Sequence, residues 1–261
     1  MMEFDFGTIT AGSLVLLYGL LFLSSFIDAI AGGGGLISLP AYLLTGLPAH
    51  YALGSNKLSA SCGTLMATVN YMKSGALDWR MALVSAAFSF MGATCGSTAA
   101  LHIDADLLKK VFIFALPVVA VIILSKRNLS DDNFSHTLDS KKRVLFAACI
   151  GLFIGFYDGM IGPGTGTFAI MAYCLLMKYD LRTASGNAKM LNLASNVASA
   201  ITLAIAGTIV WKMAIPGAFF CILGGQTGSR LAIARGAKFI RTMLVVVLVM
   251  ILVKLAWDVF M

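Results

Sequence analysis

What this chain has least of is charge. Asp, Glu, Lys and Arg make up 12% of its 261 residues against 59% hydrophobic ones, and mean hydropathy is +0.90. A soluble domain carries about 25% charged residues. So few charges could not cover a water-soluble protein of this length, which excludes the soluble classes and predicts a polytopic membrane protein. Acid is scarcer still, with Glu3 as the one glutamate. The three histidines, His50, His102 and His136, are dispersed in expected loops, with no His/Cys/Asp cluster at metal spacing and no nucleophile–base arrangement. No metal or cofactor is therefore expected, and no catalytic residue. The five cysteines form no Cys-x-x-Cys pair and lie in apolar surroundings, as buried free thiols do. The first residues include Glu3 and Asp5 but no Lys or Arg, so the basic start of a cleaved signal peptide is missing. The first apolar run is expected to stay as a membrane helix.

The net charge of +7 comes from basic residues scattered between apolar runs, a pattern of cytoplasmic loops that gives no sign of a nucleic-acid partner. Those runs fall near 12–31, 34–47, 58–76, 81–101 and 107–125, then near 144–162, 166–178, 190–209, 213–233 and 240–257. The second of each set is short for a helix that needs about 20 residues to span the hydrocarbon. The expected organisation is a first transmembrane repeat at 1–125, a polar cytoplasmic linker at 126–143 and a second repeat at 144–261. A shift of 132 residues places Ala52, Gly54 and Lys57 on Ala184, Gly186 and Lys189, and Gly75, Trp79 and Met81 on Gly207, Trp211 and Met213. It also places Gly92, Gly96 and Ser97 on Gly224, Gly228 and Ser229, while a shift of 130 places Asp28 and Gly32 on Asp158 and Gly162. Such regular matching predicts a two-fold internal repeat.

The basic residues give its sense. With five crossings per half and the linker inside, the 19 Lys and Arg divide 14 inside to 5 outside; with four crossings they divide 9 to 10. The positive-inside bias favours five plus five, both termini outside, and an odd count inverts the second repeat. The short segments either span or re-enter. Trp79 and Trp211 are expected at opposite interfaces. The fold class is thus an all-α membrane protein, a polytopic helical bundle of two inverted repeats.

The polar residues that interrupt this apolar chain are the candidates for function. Asp28 and Asp158 are the two acids inside apolar runs, and they are repeat mates. A carboxylate at membrane depth costs on the order of 3 kcal/mol and faces a cavity or a partner. Each could also cap the half-helix that follows it. Beside them lie Gly32, Gly33, Gly34 and Gly35, and Gly162-Pro163-Gly164-Thr165-Gly166. Glycines there let the backbone turn or approach closely, and a helix start offers free N–H groups and a positive dipole end to an anion. Glycines such as Gly92 and Gly96 are explained by tight helix packing alone. Lys57, Ser61, Thr64 and Thr68 share one helical face, as do Lys189, Asn192, Asn196 and Ser199, giving two polar stripes that could line a hydrated path. Lys57 and Lys189 either attract an anion or snorkel to the interface. Asn56 and Asn187 are polar ligands on the same argument.

These residues carry a family resemblance. Asp-Ala-Ile-Ala-Gly-Gly-Gly-Gly-Leu-Ile-Ser-Leu-Pro at 28–40, Ala-Leu-Gly-Ser-Asn-Lys-Leu at 52–58 and Gly-Ala-Leu-Asp-Trp-Arg at 75–80 resemble the TauE/SafE sulfite exporter family, also called the toluenesulfonate uptake permease family. In the second half Gly-Phe-Tyr-Asp-Gly-Met-Ile-Gly-Pro-Gly-Thr-Gly at 155–166 and Lys-Met-Leu-Asn-Leu-Ala-Ser-Asn at 189–196 do so too. The resemblance, over roughly 12–255, implies a permease for sulfite, sulfonates or related organosulfur anions in a bacterial cytoplasmic membrane. Its expected partners are a small anionic substrate and the lipid bilayer. Proton or ion coupling and a homo-oligomer are compatible with the sequence. The competing readings are a non-catalytic membrane subunit or scaffold, and an intramembrane enzyme.

Overall fold

The computed structural model describes residues 11–104, 106–107 and 132–260, and no strand occurs among them. They form α1 (Ala11–Ala31), α2 (Gly35–Leu44), α3 (Ala49–Lys73), α4 (Trp79–Leu101), α5 (Ser140–Met160), α6 (Thr165–Leu176), α7 (Leu181–Ile205) and α8 (Trp211–Phe260). The segment expected at 107–125 lies outside the described residues, apart from Leu107 itself. Gly12–Ala31 of α1, and the whole of α4, α5 and α7, are long and apolar enough to cross a membrane. The chain is a multi-pass membrane protein.

Two helices begin well before their expected starts. The apolar runs read from 58 and 190 belong to helices that open at Ala49 and Leu181. The polar residues at 55–57 and 185–189 broke the apolar signal, yet they sit in helix interiors and are buried. Asp180 opens α7 by accepting from the amides of Arg182 and Thr183, each at 3.0 Å, and Asp78 opens α4 by accepting from Met81 N at 3.3 Å. The runs expected at 213–233 and 240–257 are joined in α8 and separated at Gly236, whose φ of 69° leaves the helical region.

Contacts along the helices fix their relative directions. Gly54 abuts Thr208, Ser59 Oγ donates to Ala214 O at 3.3 Å, and Asn70 Nδ2 donates to Ser229 Oγ at 2.8 Å, so α3 and α8 run parallel. Against α7 the order reverses: Lys57 Nζ reaches Asn196 Oδ1 at 3.3 Å, Thr68 Oγ1 reaches Lys189 O at 3.1 Å, and Ala76 meets Gly186. Hence α3 and α7 are antiparallel. Between α4 and α5, Ser85 Oγ donates to Ala147 O at 2.9 Å and Ser97 Oγ to Gly159 O at 3.2 Å, which makes them parallel. A Cβ at Gly92 or Gly96 would strike the backbone of α5, so these glycines serve close packing. Gly224 and Gly228 do the same for α8 against α1.

The two short helices fold back along the helices before them. Leu36 and Ile37 belong to the same hydrophobic cluster as Ile27 and Ile30, whereas Leu39 and Tyr42 share another with Leu17 and Leu21. Ser24 Oγ also donates to Gly34 O at 2.7 Å, tying the return to α1. In the second half Ile170 and Tyr173 lie with Ala147 and Ile150 in the same way. Each half therefore contains a helical hairpin whose bend is the glycine break.

Basic residues gather where α3 ends and α4, α5 and α7 begin. Arg143 pairs with Asp78, and Tyr179 donates to the same carboxylate at 2.8 Å. Arg182 donates to Ser74 O at 2.8 Å, and Arg80 to Ser140 Oγ at 3.4 Å. Burial pushes the Tyr179 hydroxyl well above its ordinary pKa of 10.0, so it remains a donor across physiological pH. Removing Lys57 and Lys189, which lie inside helices, changes the expected division of basic residues from 14 and 5 to 13 and 4.

Candidate functional site

The two hairpin bends meet. Gly32, with φ of 78°, lies so close to Gly166 that no side chain fits between them. Thr167 N donates to Gly32 O at 3.2 Å and Thr167 Oγ1 to Ala31 O at 2.8 Å, so the start of α6 satisfies the last carbonyls of α1. On the other side Gly35 packs against Pro163. Gly162 and Gly164 also have positive φ, 93° and 81°, which leaves α6 free to turn back from α5.

Both buried lysines reach across to the opposite half. Lys57 Nζ of α3 lies 2.9 Å from Asp158 Oδ2 of α5, and Lys189 Nζ of α7 lies 2.8 Å from Asp28 Oδ2 of α1. Lys189 also donates to Asp28 O. The lysines aligned by the shift of 132 thus pair crosswise with the aspartates aligned by the shift of 130. Exposure is 2% for Lys57 and 0% for Lys189, so neither snorkels. A lysine at such depth without a partner would leave an uncompensated charge in low dielectric, and the pairing is what makes these positions tenable.

The carboxylates differ in their other partners. Asp28 Oδ1 accepts from Gly34 N at 3.3 Å at the start of α2, whereas Asp158 Oδ2 accepts from Ser195 Oγ at 2.6 Å. The capping expected of both acids is found for Asp28. Lys57 also donates to Asn196 Oδ1, and Asn196 Nδ2 lies 3.3 Å from Asn192 Oδ1 and 3.4 Å from Thr64 Oγ1.

A cavity of about 480 Å³, open mouth included, lies between the bends and these helices. Eleven of the expected residues line it together: Asp28, Gly32, Gly34, Gly35, Asn56, Lys57, Asp158, Gly162, Thr165, Asn192 and Asn196. Four do not. Gly33 is buried in the first bend, Gly164 starts α6, and Lys189 stands behind Asp28. Asn187 turns to its own helix, donating to Thr183 O at 2.8 Å, and its Oδ1 is buried without a partner.

The sequence reading missed Ser24, Ser25, Ser38 and Cys221 in the lining, and Ser195 as the donor to Asp158. Ser24 and Ser25 precede Asp28 by four and three residues, a helical spacing that places them on its face. Chemically, the cavity presents hydroxyls, amides, one lysine and the carboxylates of Asp28 and Asp158 to a small polar solute. Asn56 is the uncommitted member: it is 6% exposed, and its Oδ1 has no partner.

Comparison with known proteins gives these features a context. The family model described as Sulfite exporter TauE/SafE matches residues 17–255. A Haemophilus influenzae protein named "Probable membrane transporter protein" is 36% identical over 245 residues, covering 94% of this chain and 95% of that one. A Sinorhizobium protein, "Probable membrane transporter protein ORF9", is 36% identical over 248 residues, 94% and 93% of the two chains. "Probable membrane transporter protein YfcA" of Escherichia coli is 32% identical over 250 residues, 93% of this chain and 91% of its own. No solved structure matches.

Proposed function

For a chain that belongs to the sulfite exporter TauE/SafE family, we propose that the cavity between the two bends is the binding site of a permease for small sulfur-containing anions. Sulfite, sulfonates and related organosulfur anions are the class. The observation that carries this reading is the pair of lysine–aspartate bridges, each joining one half to the other at the cavity wall. A scaffold has no need of a polar, charged centre shared by both halves, and each bridge ties solute recognition to their relative position.

Transport follows by alternating access. The two halves are inverted copies, a reading supported by the opposite running of the repeat mates α3 and α7. Rocking one copy against the other would open the central cavity to each side in turn. The anion is met by the Lys57 ammonium and by the amides of Asn56, Asn192 and Asn196, all on the cavity wall. The starts of α2 and α6 add the positive ends of their dipoles.

The test is flux and binding on purified protein. In proteoliposomes the chain should move sulfite or a sulfonate, and Asp28→Asn or Asp158→Asn should impair flux with the protein still folded. A thermal-shift screen against sulfite, thiosulfate, sulfonates and carboxylates should raise Tm for sulfur anions, because a ligand that binds the native state stabilises it. Absence of both flux and shift for every anion would sink the reading.

A further inference from the structure

The charges around the cavity sum to zero before any solute arrives. Lys57 and Asp158 line it, Asp28 lines it with Lys189 directly behind, and the remaining lining residues are formally neutral. A monoanion placed against Lys57 would compete with Asp158 for the same ammonium at 2.9 Å. It would leave a net negative charge beside Lys57 and Asp158, whose side chains are 2% and 3% exposed, and buried unpaired charge is strongly disfavoured.

We propose that this site takes its anion as a monoanion together with a proton, and that Asp158 Oδ is where the proton resides. The inference rests on the permease reading and names the charge class of its solute. The proton comes from solvent on the side where the anion enters; Asp158 becomes a neutral carboxyl, and Lys57 transfers its pairing to the anion. On the far side the anion leaves, the proton dissociates, and the Lys57–Asp158 bridge re-forms. A dianion would require a second proton, so the site discriminates against it.

Asp158 is preferred to Asp28 on three grounds. Its lysine lines the cavity, whereas Lys189 does not. Asp28 accepts from two directions, from Lys189 and from the Gly34 amide at the start of α2, and neither of these donors can turn to accept. Asp158 has Lys57 and the Ser195 hydroxyl, and a hydroxyl can turn to accept from a protonated carboxyl. The titratable or charged groups facing this centre are Lys57 from α3, Asp28 from α1, Lys189 from α7 behind it, Tyr157 beside Asp158 on α5, and Cys221 from α8. Near α4, Gly159 packs against Ala93, which brings no charge.

The experiment is calorimetric titration of the purified protein with methanesulfonate, a monoanion throughout the working pH range, in buffers of different ionisation enthalpy. About one proton should be taken up per anion, and affinity should fall about tenfold per pH unit on the alkaline side. The sign follows from the proton's place: the protonated carboxyl favours the anion, so binding is strongest at low pH. Sulfate should bind on the order of tenfold or more weakly than methanesulfonate. Asp158→Asn should bind methanesulfonate without proton uptake and with little pH dependence. The wild-type proton count stands even if a variant fails to fold. Binding with no proton taken up overturns this inference alone; absence of binding by sulfite and methanesulfonate together overturns the permease reading and this with it.

Discussion

Around the first bend Asp28 meets Lys189 and the Gly34 amide, and its side chain is 17% exposed; around the second Asp158 meets Lys57 and Ser195 and is 3% exposed. The same lysine and the same aspartate, in repeat-related positions, therefore sit in two different settings. On α1 the face before Asp28 carries Ser24 and Ser25, where the corresponding residues before Asp158 are Ile154 and Gly155. The cavity accordingly takes its serines from the first hairpin and its asparagines from Asn56 on α3 and from α7. The two bends thus differ: the first lends serines to the cavity, and the second buries its acid more deeply. Substitutions can break or sharpen that contrast.

The largest effect is expected from removing one partner of the more buried pair. Lys57→Met leaves Asp158 at 3% exposure without its cation and should cost about 3–5 kcal/mol of stability. The double variant Lys57→Met with Asp158→Asn should recover most of that loss. Lys189→Met should cost less than Lys57→Met, because Asp28 keeps the Gly34 amide and some solvent. Thermal unfolding in detergent orders the three variants; equal losses for the two single lysine variants would erase the contrast.

Next come the bends. Ala at Gly32 would meet the backbone of Gly166 as well as a positive φ, whereas the nearest atom to a Cβ at Gly162 is the flexible Lys57 Nζ at 3.3 Å. Gly162→Ala should cost roughly 1–2 kcal/mol from the left-handed backbone. Gly32→Ala should cost about 1–3 kcal/mol more through overpacking. Thermal melts of the two variants measure the difference.

A smaller effect is expected at Ser195. Ser195→Ala removes a 2.6 Å bond to a buried carboxylate and should cost about 1.5–3 kcal/mol, the range for hydrogen bonds to charged groups. Ser24→Ala, which removes a 2.7 Å bond to a neutral carbonyl, should cost about 0.5–1.5 kcal/mol. Smallest is the bridge outside the cavity: Asp78 and Arg143 are each about a quarter exposed, and Asp78→Asn should cost about 1 kcal/mol or less, since Tyr179 still has an acceptor. Chemical or thermal melts compare all three.

Much of this architecture could be read from the chain. The bends were marked by glycine and the acids by their isolation within apolar runs, because each is a local property of sequence. The starts of α3 and α7 could not be read so well. Lys57 and Lys189 look like helix ends when polarity is taken as exposure, and only partners from the other half make them interior. Those partners are distant in sequence, with Lys57 and Asp158 on α3 and α5, and no periodicity links them. Ser24 and Ser25 were legible by helical spacing from Asp28. Ser195 was not, because its role depends on how α7 lies against α5. Asn187 shows the opposite error, since a polar residue beside the stripe turned to its own helix.

The central claim is that Lys57, on the wall of the cavity shared by both halves, is the cation that meets the anion. Calorimetric titration with sulfite of the double variant Lys57→Met with Asp158→Asn, which keeps the centre neutral, tests it most directly. The account predicts that binding is lost while the thermal melt stays close to that of the wild type. Sulfite binding at wild-type affinity by that folded double variant would contradict it.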